Sequence, residues 1–307
     1  MKSCVVLSSY NGIKHIDDQL KSLLNQTKSI DCVYISDDCS NDGTDLLIEK
    51  FITNNRITNW YLKTNEKNVG WKLNFVNLIK EVPKDIDVIF LCDQDDIWYK
   101  DKMEEMIKIF NSNPDIGLLV SNVDVKYEDE NAKKIHFKKL GNRTFGNVKI
   151  VPNNLNTLRP GCVMAINRKM VQDCINNYHV DELPHDMIIW MYFFCKRNIY
   201  YLNKSLIQWR RFSTSTTLFE KKEDRYNYKI KQCKEMLLAL NQCKKINNID
   251  SEIKNILDNY IKLENTRLEF FKTKKISTWF SCLKYIDFYS SKYRMWIGDL
   301  YFTLKNR

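Results

Sequence analysis

Over the first 125 residues, short apolar runs alternate with helical patterns, the rhythm by which βαβ units build a sheet. Residues 4–9, 32–36, 60–62, 88–91 and 117–125 read as strands. Between the first two, Ile16, Leu20, Leu23 and Leu24 mark one face of a helix over 16–26. A turn at Asn41-Asp42-Gly43-Thr44, whose Asp and Thr are both capping residues, opens a helix running to about residue 51. Asn68-Val69-Gly70 is a turn before a helix over 74–80, and 102–111 is the next helix.

The middle of the chain is less regular. Residues 127–139 are charged and read as an exposed connection. Pro160-Gly161 introduces a strand over 162–166, followed by a short helix over 168–176. Pro184-His185-Asp186 starts an apolar helix to about residue 194, because proline suits a first helical turn. Residues 200–209 read as a further strand. From Arg225 onward the pattern is helical. Ile230, Cys233, Leu237 and Leu240 recur at helical spacing, as do Ile253, Ile256, Leu257, Tyr260 and Ile261. Trp279, Leu283, Ile286, Tyr293, Trp296, Leu300 and Leu304 form a broad last stripe. A boundary is expected at 214–222. It divides an α/β domain over residues 1–213 from a basic, aromatic-rich helical region over residues 214–307.

Charge sharpens that division. Residues 1–203 carry 26 Lys+Arg against 27 Asp+Glu, whereas residues 204–307 carry 22 against 11. The excess of +10 therefore sits in the C-terminal third and points to an anionic partner there. Lysines spread around helices match no nucleic-acid module, so no nucleic-acid partner is expected. The longest apolar run, residues 187–195, is about half of the ~18 residues that span a bilayer. No charged-then-apolar leader precedes Cys4, and the ten cysteines are scattered without a C-x-x-C pair. The expectation is a cytoplasmic protein with reduced thiols.

The candidate chemistry begins at Asp93-Gln94-Asp95-Asp96, which follows the apolar stretch Val88-Ile89-Phe90-Leu91 directly. Three carboxylates in four positions are costly to crowd unless a cation sits among them. At the carboxyl end of a strand they lie where open α/β sheets bind ligands. Oxygen donors there suit Mg²⁺ or Mn²⁺ together with the phosphates of a substrate.

Further elements follow in a fixed order. They are Leu7-Ser8-Ser9-Tyr10-Asn11-Gly12, Ser36-Asp37-Asp38-Cys39-Ser40-Asn41-Asp42-Gly43-Thr44, Asn68-Val69-Gly70 with Asn74, the acidic run with Ile97-Trp98, and His185-Asp186. Over about residues 3–212 the chain resembles the family 2 glycosyltransferases, in particular bacterial rhamnosyltransferases of surface polysaccharide synthesis. The resemblance implies a GT-A (Rossmann-like) mixed sheet flanked by helices, here with a C-terminal α-helical extension.

It also implies roles. Ser8 and Tyr10, at the end of the first strand, meet the nucleotide, the Tyr10 ring stacking on the base or serving only the turn. Asp38 accepts from a pyrimidine N3–H, which UDP and dTDP share. Asn68 and Lys72 lie on the third loop, where Lys72 either meets a phosphate or stays solvated. Asp95 ligates the metal, and Asp93 faces the ribose or a metal-bound water. Asp96 serves the acceptor side or caps a turn. Asp186 is the general base of an inverting transfer, with His185 orienting it or the acceptor, or simply packed. Gly161 allows a sugar to approach the backbone. One departure stands out: Trp209-Arg210-Arg211-Phe212 has phenylalanine where relatives carry a histidine. Either Asp95 and diphosphate oxygens hold Mn²⁺ or Mg²⁺ alone, or Arg210 and Arg211 stabilise the leaving group. Metal dependence is therefore left open.

The expected function is sugar transfer from a nucleotide diphosphate sugar, dTDP-rhamnose or a UDP-hexose, to a saccharide acceptor carried on lipid. The C-terminal stripe would rest peripherally on anionic membrane or pack on the catalytic domain or a second subunit, as in a homodimer. The competing reading is a non-catalytic nucleotide-sugar-binding or scaffold protein of a polysaccharide assembly complex.

Overall fold

The computed structural model describes the chain apart from residues 133, 138, 157–158, 178–182, 214–224, 290 and 306–307. The expected boundary at 214–222 therefore lies outside the described residues. Contacts divide the chain into two compact units. One comprises Met1–Val148, Leu158–Ile189 and Asn198–Phe212; the other comprises Lys149–Thr157, Trp190–Arg197 and Ser213–Arg307.

The first unit is built on a mixed sheet, as expected. Strands β1 (Ser3–Ser9), β2 (Cys32–Asp37), β3 (Trp60–Thr64) and β4 (Val88–Asp93) run parallel, joined by helices α1 (Ile16–Leu24), α2 (Thr44–Asn54) and α3 (Trp71–Glu81). β1 is buried along its whole length, and such double burial is why it reads as a continuous apolar run rather than an alternation. β5 (Ile97–Trp98), α4 (Lys102–Ser112), β6 (Leu118–Tyr127), β7 (Phe145–Asn147), β8 (Met164–Asn167) and α5 (Arg168–Asn177) follow. Then come α6 (His185–Cys195), which runs from the first unit into the second, and β9 (Ile199–Arg211). The strand order is β3-β2-β1-β4-β8-β6-β9-β5, with β7 pairing along β9. β8 is antiparallel to both β4 and β6, and β9 is parallel to β6.

Three local differences have plain causes. β5 and β7 are two and three residues long, too short for an alternation to register. The strand expected from 162 starts at Met164, because Gly161–Val163 forms a 3₁₀ turn. The third helix begins at Trp71 rather than 74, directly after Gly70, whose φ of 84° only glycine adopts without strain.

Register places the strand ends together. Ser8 of β1 pairs with Ser36 of β2 on one side and Asp93 of β4 on the other, and Ser9 pairs with Asp37. Polar residues therefore begin at one level across three neighbouring parallel strands.

The second unit includes α7 (Arg225–Cys243), α8 (Ser251–Thr273), α9 (Ile276–Ser281) and α10 (Lys292–Lys305). Asp250 caps α8 by accepting from the Ile253 amide at 2.9 Å. Along α8, Ile253, Ile256, Leu257, Tyr260, Leu263, Phe270 and Phe271 face the core. Arg267 lies buried among them. It donates to Glu264 Oε2 at 2.9 Å and to Asp299 Oδ2 at 2.8 Å, while Lys229 and Tyr289 also reach Asp299. Trp279 and Trp296 stack with ring centroids 3.7 Å apart. Each indole N–H donates to the other's carbonyl, at 2.9 and 3.0 Å.

Burying this ion cluster is tolerable only while its charges stay matched. Arg267→Met leaves Glu264 without its cation and Asp299 with less, and is expected to cost about 3–5 kcal/mol. Chemical denaturation of the whole chain, followed by tryptophan fluorescence and far-UV circular dichroism, measures the loss.

Candidate active site

The side nearest β2 is a lattice of side chains closing on main chain. Asn74, buried in α3, donates to Ser8 Oγ at 2.8 Å and accepts from Ser36 Oγ at 2.6 Å, stitching β1 to β2. Asp37 accepts from Ser9 Oγ and Ser40 Oγ, both at 2.7 Å. Asp38, 2% exposed, accepts from the Val69 and Gly70 amides at 2.8 Å and from Asn65 Nδ2 at 2.9 Å. Its carboxylate thus orders the 65–70 loop. Asn68 is exposed and donates to the Asp38 carbonyl at 3.2 Å. Asp42 Oδ1 accepts from the Thr44 amide and hydroxyl, and Gly43 takes a φ of 87° between them. Tyr10 projects from this lattice with 46% of its surface exposed.

The acidic run is unevenly buried. Asp93 and Asp95 are half-buried, whereas Asp96 is enclosed. Asp96 Oδ1 accepts from the Arg210 amide at 3.1 Å, and its Oδ2 has no hydrogen-bond partner. Beneath the run lies a cation that sequence reasoning missed. Lys102, in the first turn of α4, is fully buried; its ammonium sits 3.7 Å from the Trp98 ring centroid and donates to the Cys162 carbonyl at 2.6 Å. A lysine at a helix N-terminus opposes the helix dipole, and that mismatch was the available signal.

Burial first, then the neighbouring carboxylates, push Asp93 up to about 7 and Asp96 well above the carboxylate range. Asp95 is raised by burial too, with Arg211 and then Arg210 drawing it back. Burial lowers Lys102 to about 8.

This donor set suits a hard divalent cation, with clustered carboxylate oxygens and one buried oxygen lacking a partner. Among the described residues, the ligand atoms of Asp93, Asp96 and Cys162 all lie within 4.8 Å of one another. The pair expected from sequence was Asp93 with Asp95.

Asp186 stands in the first turn of α6, its Oδ1 accepting from the Met187 amide at 2.8 Å. Burial raises it to about 6, while Lys72 pulls in the opposite direction. Asp186 also contributes to raising Asp93, so the structure brings together the acidic run, Lys72 and Asp186. His185, 4% exposed, stacks on Phe75 at 4.1 Å and meets the edge of Trp71 at 5.6 Å. Neither ring nitrogen has a hydrogen-bond partner, and burial lowers the imidazole to about 3. A Cβ on Gly161 would come within 2.9 Å of His185 Nε2, so glycine is what admits the ring.

The two arginines diverge. Arg210 donates to Glu128 at 2.7 Å and Asp18 at 2.9 Å, with His15 Nδ1 3.2 Å away. Arg211 interacts instead with Asp95, Asp96 and Asp93, its guanidinium 4.5 Å from the Trp209 ring. Phe212 stacks on His15 with ring centroids 4.3 Å apart.

Comparison with known proteins gives this geometry a context. The family model for glycosyl transferase family 2 matches residues 4–175. The dTDP-rhamnosyl transferase RfbG of Shigella flexneri is 41% identical over 111 residues, which is 34% of this chain and 38% of that protein. The matches span 38% and 45% of the lengths of two curated relatives. S. aureus TarS 1–349 superposes with a TM-score of 0.64 at 16% identity, covering 99% of this chain and 87% of that one. The mannosyltransferase PcManGT from Pyrobaculum calidifontis, in complex with GDP-Man and Mn²⁺, gives 0.57 at 11% identity over 99% and 85%. Both structures share the GT-A fold with this chain.

A buried imidazole held neutral has a consequence for stability. The unfolded chain takes up a proton below about 6.5, whereas folded His185 resists until about 3, so stability falls as pH drops through that window. His185→Phe keeps the stack on Phe75 and removes the proton uptake. At pH 5 the variant should recover about 2 kcal/mol that it does not recover at pH 8. Denaturation at the two pH values measures the difference.

Proposed function

This chain belongs to glycosyl transferase family 2, and from that premise we propose that it moves a sugar from a nucleotide diphosphate sugar to a saccharide acceptor with inversion. The observation that carries the reading is the gathering of Asp93, Asp95, Lys72 and Asp186 beside the carboxyl ends of β1, β2 and β4. The relative named as a dTDP-rhamnosyl transferase supports dTDP-rhamnose as donor. The structure of TarS in complex with UDP-GlcNAc supports a UDP-hexose as the alternative.

In this reading Ser8, Tyr10 and the loop ordered by Asp38 receive the nucleoside, and Asn68 and Lys72 flank the phosphates. Asp93, with Asp95 as the sequence suggests or with the unpartnered Oδ2 of Asp96, would hold Mn²⁺ or Mg²⁺, which when bound neutralises charge on the diphosphate. Arg211 supplies further positive charge on the same side, while Arg210 stays committed to Asp18 and Glu128. Asp186 takes the proton from the acceptor hydroxyl as its oxygen attacks the anomeric carbon. The C–O bond to the diphosphate breaks on the opposite face, and the diphosphate leaves with the electron pair. Asp96 is enclosed and the space at Gly161 is taken by the His185 ring, so neither is given to the acceptor.

In this proposal the first unit is the catalytic domain, and the second, which takes in Lys149–Thr157 and Trp190–Arg197 beside the C-terminal helices, is its extension. No helix among the described residues is long and apolar enough to cross a membrane. Tyr293, Ile297, Tyr301 and Leu304 are nevertheless exposed along one stripe of α10, with Arg294 and Lys305 exposed beside it. An aromatic stripe with a basic flank fits peripheral contact with anionic lipid. We therefore place the protein on the cytoplasmic face of the membrane, acting on a lipid-linked saccharide.

Two experiments test this. In a panel of nucleotide sugars assayed with Mn²⁺ or with chelator, Asp186→Asn should lower turnover on the order of 100- to 10,000-fold while nucleotide binding persists. The pH profile of kcat/KM should fall below about 6, where Asp186 gains its proton. Full activity of both Asp186→Asn and Asp95→Ala would refute the assignment. Separately, the chain should sediment with anionic but not zwitterionic vesicles, with loss at high salt and in Ile297→Asp. Salt-independent solubility beside such vesicles would remove the membrane from the proposal.

A further inference from the structure

We infer that Gln94, set between the two carboxylates Asp93 and Asp95, is a positioning residue that fixes the nucleoside loop relative to the diphosphate site. Its carboxamide clamps the main chain of Tyr10. Oε1 accepts from the Tyr10 amide at 2.9 Å, and Nε2 donates to the Tyr10 carbonyl at 2.9 Å. The register of β1 and β4 ends at Ser8 with Asp93. Beyond that pair the strands offer each other no further rung, and the carboxamide supplies one. It has the donor and acceptor of a peptide group, presented by a side chain.

The sequence accommodates the clamp at a second position. A Cβ on Gly12 would fall 2.2 Å from Gln94 Oε1 and 2.6 Å from its Cδ, so glycine there makes room for the carboxamide. From the other side the same loop is held by residues after β2. The Asn11 amide donates to Ser40 Oγ at 2.8 Å, the Asn41 amide to Asn11 Oδ1 at 3.0 Å, and the Gly12 amide to Thr44 Oγ1 at 2.8 Å. The Tyr10 loop is thus anchored on both flanks, and Gln94 is the link to the acidic run. A ligand that reaches from the Tyr10 ring to Asp93 and Asp95 must match a spacing that this link sets. Without it, the binding energy of one half of the donor is spent ordering the loop for the other half.

The inference rests on the nucleotide-sugar reading of the site. Its test uses the full chain, with calorimetric affinity for UDP, dTDP and GDP as the first readout and donor KM against kcat as the second. Gln94→Met keeps the bulk and removes both hydrogen bonds. It should weaken binding of the preferred nucleotide and raise donor KM about tenfold, with kcat, acceptor KM and thermal midpoint little changed. Gly12→Ala should reproduce that loss when Gln94 is present. In a Gln94→Ala background it should add nothing, because the clash is gone. Unchanged nucleotide affinity in Gln94→Met, or full additivity of Gly12→Ala with Gln94→Ala, overturns the clamp. A chain that binds nucleotide but transfers no sugar refutes the proposed function alone, because the affinity arm still reports on Gln94. A chain that binds none of the three nucleotides overturns both.

Discussion

Like charges crowded at the end of a buried strand are the constraint around which the first unit is arranged. Asp93, Asp95 and Asp96 leave β4 together, Asp186 approaches from α6, and burial makes each of them resist ionisation. Lys102 answers from below, enclosed by Trp98 and the Cys162 carbonyl. The 3₁₀ turn at Gly161–Val163, the first turn of α4 and the two-residue strand β5 all meet at this ammonium and its neighbours. Lys102 and the buried guanidinium of Arg211 are positive charges set against these carboxyl groups.

Much of the sheet is legible in the chain itself. Doubly buried parallel strands appear as apolar runs, and each ends where polar residues begin, so β1, β2 and β4 and their common edge were legible. The residues of the edge were legible too, because Asp38, the acidic run and His185-Asp186 fall on loops after strands or at a helix start. Pairings between side chain and main chain were not legible. Nothing in the spacing of Gln94 and Tyr10, or of Asp38 and the amides of Val69 and Gly70, marks them as partners. Nor did the chain separate Arg210 from Arg211. Adjacent strand residues point to opposite faces, and it is the fold that sets Asp18 and Glu128 on one face and the acidic run on the other.

The second unit shows what bulk charge conceals. Its sequence is strongly basic, yet its interior is organised by acids: Asp299 and Glu264, held by Arg267, with Lys229 and Tyr289 at the margin. A helix-period reading assigns positions to a buried face but does not predict that three of them are charged. The compensating partners come from α7, α8 and α10, far apart in sequence. The basic excess that remains lies outside this interior, on residues such as Lys272, Lys275, Lys284 and Arg294, all exposed.

The paired tryptophans carry an implication for how this chain can change through descent. Trp279 and Trp296 satisfy one another's indole N–H through each other's backbone, ring upon ring. Replacing either ring exposes the face of the other and removes one of the two indole-to-carbonyl hydrogen bonds, so a change at one position is felt at both. The two sites, 17 residues apart, are thus coupled, and a change at one is constrained by the other. A lineage that abandons one must pass through a weaker protein before it can abandon the other.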